Sequence, residues 1–136
     1  MILREVPWPR SRPPVTVEQW PTVPINVLFV CTTNLVRSPM AARLLDEVTG
    51  RRCVGRSAGL AREAPRRVTT RELAWAHVVV VMERWHEQEI RRYWPRHAGK
   101  VRVFGIPDAY DRGDGELDAL LTDKIRALVG GLGGRA

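Results

Sequence analysis

The chain carries only two cysteines, Cys31 and Cys53, in 136 residues. Two thiols are too few for a disulfide framework, so a reduced, cytoplasmic setting is expected. No apolar run approaches the ~20 residues needed to cross a bilayer, and no membrane partner is expected. The opening stretch, MILREVPWPRSRPP, lacks the apolar core of a signal peptide. Histidine is also scarce. His86 and His97 stand far apart, without acidic or thiol companions, so no metal site is expected. His77 opens an apolar run and reads as a strand-end residue. A glycine-rich nucleotide loop is missing too, because the terminal Gly-Gly-Leu-Gly-Gly follows a helical pattern instead of opening one. No cofactor is expected.

What the chain does have is positive charge. The net charge is +7, hydrophobic residues make up 44% and charged residues 27%, the profile of one soluble globular domain. The basic residues are nearly all Arg and are scattered among apolar positions rather than gathered into one block. Nucleic acid is therefore a secondary reading, ranked below a solvated Arg-rich surface or a field that speeds encounter with an anionic substrate.

Six of the ten prolines lie in residues 1–24, which read as an extended arm. Trp8 and Trp20 in this arm fit an anchor against the domain or a dimer contact with a second copy of the chain. From residue 25 to 130, apolar runs alternate with helical patterns. Residues 25–31 read as a strand buried on both faces. Ser38 is placed to cap a helix with Pro39 in its first turn, Gly50 ending it. Strands are expected at 53–57, 77–82 and 100–106, and helices at 68–76, 83–94 and 116–129, with residues 131–136 a frayed tail. Trp75, Trp85 and Trp94 are spaced for packing. The alternation predicts an α/β fold in three layers, a four-stranded parallel sheet with helices on both faces. Ligands of such sheets bind beyond the carboxyl ends of the strands, where Cys31 and Asp108 both belong.

The segment CTTNLVRSPM carries the chemistry. A cysteine at the end of a strand and ahead of a helix feels the helix dipole and unpaired amides, which favour the thiolate. The amides of Thr32, Thr33, Asn34, Leu35, Val36, Arg37 and Ser38, turned inward, can bind the oxygens of a phosphoryl group. Arg37 adds a planar two-pronged donor, and Ser38 can hydrogen-bond the sulfur. Asn34 is a residue type that tolerates a left-handed backbone. The plainer alternative is a buried, inert thiol at a strand end.

CTTNLVRSPMA resembles the signature of the low-molecular-weight protein tyrosine phosphatases, Cys-x-Gly-Asn-x-Cys-Arg-Ser-Pro. Ile106-Pro107-Asp108-Ala109-Tyr110 stands where that family has its acid loop, and Ser57-Ala58-Gly59 and WAHVVVVME match in type and order. The likeness spans residues 25–129 and is nearest to a short bacterial subgroup. It implies that Cys31 attacks phosphorus to form a phosphocysteine and that Arg37 clamps the phosphoryl oxygens. Asp108 would protonate the leaving oxygen and then activate water, and Tyr110 offers an aromatic wall to the substrate pocket. Asp111 and Asp114 are rivals for the acid role. The implied partner is a phosphorylated protein or a small phosphomonoester, with no metal. The chain departs from the family at Thr33 (Gly), Val36 (a second Cys), Ala109 (Pro) and in a short segment at 60–67. An arsenate reductase-like thiol enzyme and a phosphate-binding module without turnover are the alternatives.

Overall fold

The residues INVLFVC form β1 (Ile25–Cys31), and their near-continuous apolar character follows from a place inside the sheet with helices on both sides. The computed structural model describes residues 24–132. After β1 come α1 (Arg37–Thr49), β2 (Cys53–Gly59), α2 (Thr70–Trp75), β3 (Val78–Val81) and α3 (Arg84–Tyr93). A 3₁₀ turn (Pro95–Lys100), β4 (Val101–Val103) and α4 (Gly115–Gly131) complete the domain. The four strands are parallel and ordered β2-β1-β3-β4, so the connections change direction between β1 and β3. In sheets of this kind the crevice that takes a ligand lies at that switch, beyond the carboxyl ends of the two strands.

Strand periodicity divides the core in two. Val27, Phe29 and Cys31 join Leu44 and Leu45 of α1 and Leu117 and Leu121 of α4 on one face. Leu28 and Val30 join Leu73 of α2 and Ile90 of α3 on the other. The rings of Phe29 and Phe104 lie 6.1 Å apart in the first layer. Each large apolar side chain buried this way contributes roughly 1.5–3 kcal/mol. Cys31 is thus in phase with the strand residues that face α1, the helix whose first turn bears Arg37.

Several local expectations are corrected. Ser38 does not cap α1: the cap position is Val36, with no side-chain cap, and Ser38 lies buried inside the first turn. Its hydroxyl is drawn to Cys31 instead. Gly50 does end the helix, at φ 57°, in the left-handed region that glycine adopts without a Cβ clash. α4 runs to Gly131 and Leu132 is buried, so the frayed tail does not begin at residue 131. The apolar contact of Leu132 with the core outweighs the poor helix propensity of the two glycines before it. Trp75 and Trp94 pack against the α2/α3 face, whereas Trp85 is 42% exposed and does not. Apart from Pro24, the proline-rich arm of residues 1–24 lies outside the described residues, as do residues 133–136. Among the described residues no helix is long and apolar enough to cross a membrane.

Candidate active site

The loop from Cys31 to Arg37 closes tightly on the sulfur. Cys31 Sγ accepts from the Asn34 backbone N–H at 3.2 Å and lies 3.0 Å from Ser38 Oγ. Asn34 makes this turn at φ 60°, and its Nδ2 donates to Ser38 Oγ at 3.0 Å. The Ser38 proton has two acceptors in reach, the sulfur at 3.0 Å and the Ala58 carbonyl at 3.4 Å, and the nearer is the sulfur, which as a thiolate can only accept. The arrangement stabilises charge on Sγ from two directions.

The loop is braced from β2. Leu60 N–H donates to the Cys31 carbonyl at 3.1 Å and Ala61 N–H to the Thr32 carbonyl at 2.8 Å. Gly59 is needed here because a Cβ would lie 2.8 Å from Thr32 O and 2.7 Å from Ala64 Cβ. The short segment at 60–67 therefore folds back over the end of β2 and supports the loop backbone.

Arg37 is 2% exposed and anchored by one arm. Its Nη1 donates to Glu83 Oε2 and to the Ile106 carbonyl, both at 2.7 Å. Two hydrogens meet two acceptors, so Nη1 is saturated. Nη2 lies 3.4 Å from Thr32 Oγ1 and 3.9 Å from Asp108 Oδ1. The second arm is thus turned toward the crevice, beside an exposed carboxylate on the β4–α4 loop. Ile106 reaches Arg37 because its N–H bonds the Met82 carbonyl, extending the β3–β4 pairing past the strands.

Asp108 is the loop carboxylate that meets Arg37. Its rival Asp114 is the N-cap of α4, accepting from Glu116 and Leu117 backbone N–H groups. Asp111 is exposed, and its carbonyl accepts from Asp114 N–H. Tyr110 is half-buried against the α1/α4 face of the core, and Val36 packs there too. Leu35 stands out at the loop, 46% exposed.

Two residues here were not singled out from the sequence as site residues, Glu83 and His86. Glu83 holds Arg37 and, with His86, forms a capping box at the start of α3. His86 is fully buried, its Nδ1 accepting from the Glu83 backbone N–H at 3.0 Å and its Nε2 3.0 Å from Thr32 Oγ1. Burial first, then the Arg37 charge, pulls its pKa down to about 4 against the smaller opposing pull of Glu83 and Asp108. The available signal was position: Glu83-x-x-His86 directly follows the β3 run, at the same sheet rim that brought Asp108 into view.

Cys53 is remote from all of this. It pairs with Ile25 across the sheet, six strand residues from Cys31, roughly 20 Å at strand rise. Burial pushes its thiol up to about 12. Among the described residues no cluster of His, Cys, Asp and Glu side chains gathers as a metal ion requires.

Residues 26–65 match the model of the low molecular weight phosphotyrosine protein phosphatase family. No curated protein matches the chain. Among solved structures the chain is similar to the tyrosine phosphatase Wzb of Escherichia coli K30, in complex with phosphate. That likeness has 26% identity over 79% of this chain and 98% of that one, with a TM-score of 0.68. It is similar to the tyrosine phosphatase AmsI of Erwinia amylovora at 25% identity, covering 84% and 96%, with a TM-score of 0.66. It is also similar to the YwlE arginine phosphatase of Geobacillus stearothermophilus at 26% identity, covering 81% and 91%, with a TM-score of 0.59.

Fold and cysteine loop together are those of the low-molecular-weight phosphatases. The resemblance read in the sequence is borne out to that extent: the family model matches residues 26–65, and the similar solved structures include short bacterial tyrosine phosphatases.

Proposed function

We propose that this chain is a cysteine-dependent phosphatase that hydrolyses phosphomonoesters, protein phosphotyrosine foremost, through a phosphocysteine on Cys31. The observation that carries it is the pairing of a doubly hydrogen-bonded sulfur with an Arg37 anchored through Nη1, its Nη2 facing Thr32 and Asp108. In the first step Cys31 Sγ attacks phosphorus, the bond to the leaving oxygen breaks, and Asp108 gives that oxygen its proton. In the second, Asp108 as carboxylate takes a proton from water, whose oxygen attacks phosphorus as the S–P bond breaks and phosphate leaves. Loop amides from Thr32 to Ser38, apart from the Asn34 N–H given to Sγ, and the Nη2 edge of Arg37 take up the oxygens and the charge that builds on them. These donors bring the positive charge that a metal would otherwise supply. A reduced, cytoplasmic setting is part of the same reading, since the nucleophile must stay a thiol.

An aryl leaving group is favoured by Leu35 and Trp85, which present exposed apolar surface on the loop and in the first turn of α3 at the same end of the sheet. An arsenate reductase-like cycle is disfavoured because Val36 replaces a second loop cysteine and Cys53, on β2, sits beside the end of β1 opposite Cys31. The test compares kcat/KM for one peptide carrying phosphotyrosine and for its phosphoarginine counterpart, with the Cys31 adduct trapped by acid quench and identified by mass. Preference for phosphotyrosine with a phosphorylated Cys31 supports the reading. Preference for phosphoarginine overturns the substrate, and phosphate binding without turnover would make the chain a binding module.

A further inference from the structure

The reaction scheme above makes no use of His86, which lies directly behind the phosphate loop. An amide can only donate, so the Glu83 N–H that reaches Nδ1 requires a lone pair there. In the neutral ring the proton is therefore on Nε2, which points at Thr32 Oγ1 from 3.0 Å. The Trp85 ring stands 4.2 Å from the imidazole between centroids, and the imidazole itself is fully buried. The tautomer is set by the cap of α3, a feature independent of any substrate.

The consequence falls on Thr32. Its Oγ1 receives the His86 Nε2–H and, at 3.4 Å, an Arg37 Nη2–H. Both neighbours are donors, so they fill the two lone pairs and leave the hydroxyl proton as the only remaining capacity. Among the described residues nothing accepts that proton. Thr32 directly follows Cys31, and the Nη2 it meets is the arm turned toward Asp108. An oxyanion held between Cys31 and Arg37 would offer that proton an acceptor.

We propose that His86 is a positioning residue: by donating to Thr32 Oγ1 it turns the Thr32 hydroxyl into a donor to a phosphoryl oxygen. Thr32 then contributes a side-chain hydrogen bond beside the loop amides and Arg37. The inference rests on the phosphatase reading for what fills the loop, but it concerns oxyanion binding and is measurable without turnover.

The test is calorimetric titration of the full chain with inorganic phosphate. T32V and H86F should each weaken binding about tenfold, the scale of one hydrogen bond to a charged group. The double variant T32V/H86F should bind within about twofold of T32V alone, since His86 acts through the hydroxyl. T32S restores a hydroxyl, and H86Q keeps an N–H donor of similar reach, so both should stay within about threefold of the parent. Additive losses in the double variant would reduce His86 to a structural part, and unchanged binding by T32V would remove the Thr32 contact altogether. A parent that binds phosphate with this pattern yet turns nothing over would sink the phosphatase reading while leaving this one in place.

Discussion

Glu83→Gln isolates the anchor of Arg37 without altering the shape around it. The amide keeps one oxygen to accept from Nη1, so the main loss at that contact is the charge. Breaking a buried ion pair outright costs about 3–5 kcal/mol. Here the partner is neutralised rather than deleted, the Ile106 carbonyl still holds Nη1, and the Glu83 side chain is 29% exposed, so water screens part of the interaction. The expected loss is about 1–2 kcal/mol in unfolding free energy, from a charge-assisted bond made neutral. Activity should separate from affinity. A guanidinium held by weaker bonds spends less time with Nη2 facing the crevice, which lowers kcat about tenfold, equivalent to about 1.4 kcal/mol of transition-state stabilisation. KM should not rise, because removing a negative charge beside the loop favours the phosphate dianion. Urea unfolding and steady-state hydrolysis of para-nitrophenyl phosphate read the two effects. An E83Q protein as stable and as fast as the parent would refute the anchoring argument, and a rise in KM at constant kcat would show that Glu83 serves binding instead.

Three further outcomes follow from the same geometry. His86 titrates near 4 when folded and near 6.5 when unfolded, so between those values the unfolded chain binds the extra proton and stability falls as pH falls. The parent should therefore lose about 2 kcal/mol more than H86Q between pH 7 and pH 5 in paired urea titrations, and parallel losses would contradict the assignment. Gly59→Ala drives a methyl into Thr32 O and Ala64 Cβ, and should cost about 1–3 kcal/mol and lower kcat/KM, while Gly130→Ala, in α4 with open space for a Cβ, should leave kcat/KM unchanged. Iodoacetamide on the folded protein should label Cys31 and spare Cys53, whose thiol is pushed up to about 12, with phosphate protecting Cys31; labelling of Cys53 at neutral pH would show that its end of the sheet opens.

Much of this architecture was legible in the chain itself. Two apolar runs read as buried strands, 25–31 and 77–82 (the second observed as Val78–Val81), placed the centre of the sheet, and the helix stripes at Leu44–Leu45 and Leu117–Leu121 supplied one covering layer. The nucleophile loop was legible because its chemistry is contiguous: Cys31, Asn34, Arg37 and Ser38 meet within one turn of chain. The capping role expected of Ser38 failed for a physical reason, since a buried sulfur at 3.0 Å competes for the hydroxyl. Glu83 and His86 stayed hidden because their partners are 46 and 54 residues away, and a Glu opening a helix is ordinarily explained by the dipole alone. Trp85 carried the same spacing as Trp75 and Trp94, and only the packed structure separates the exposed ring from the two covered ones.

The most direct test of the central claim is hydrolysis of para-nitrophenyl phosphate in the presence of a metal chelator, with C31S and D108N beside the parent. The account requires turnover in the parent, none in C31S, and a rate reduced by about 10²–10⁴ in D108N, the scale of a lost general acid. A parent without turnover, or a C31S protein that still hydrolyses the ester, would contradict it.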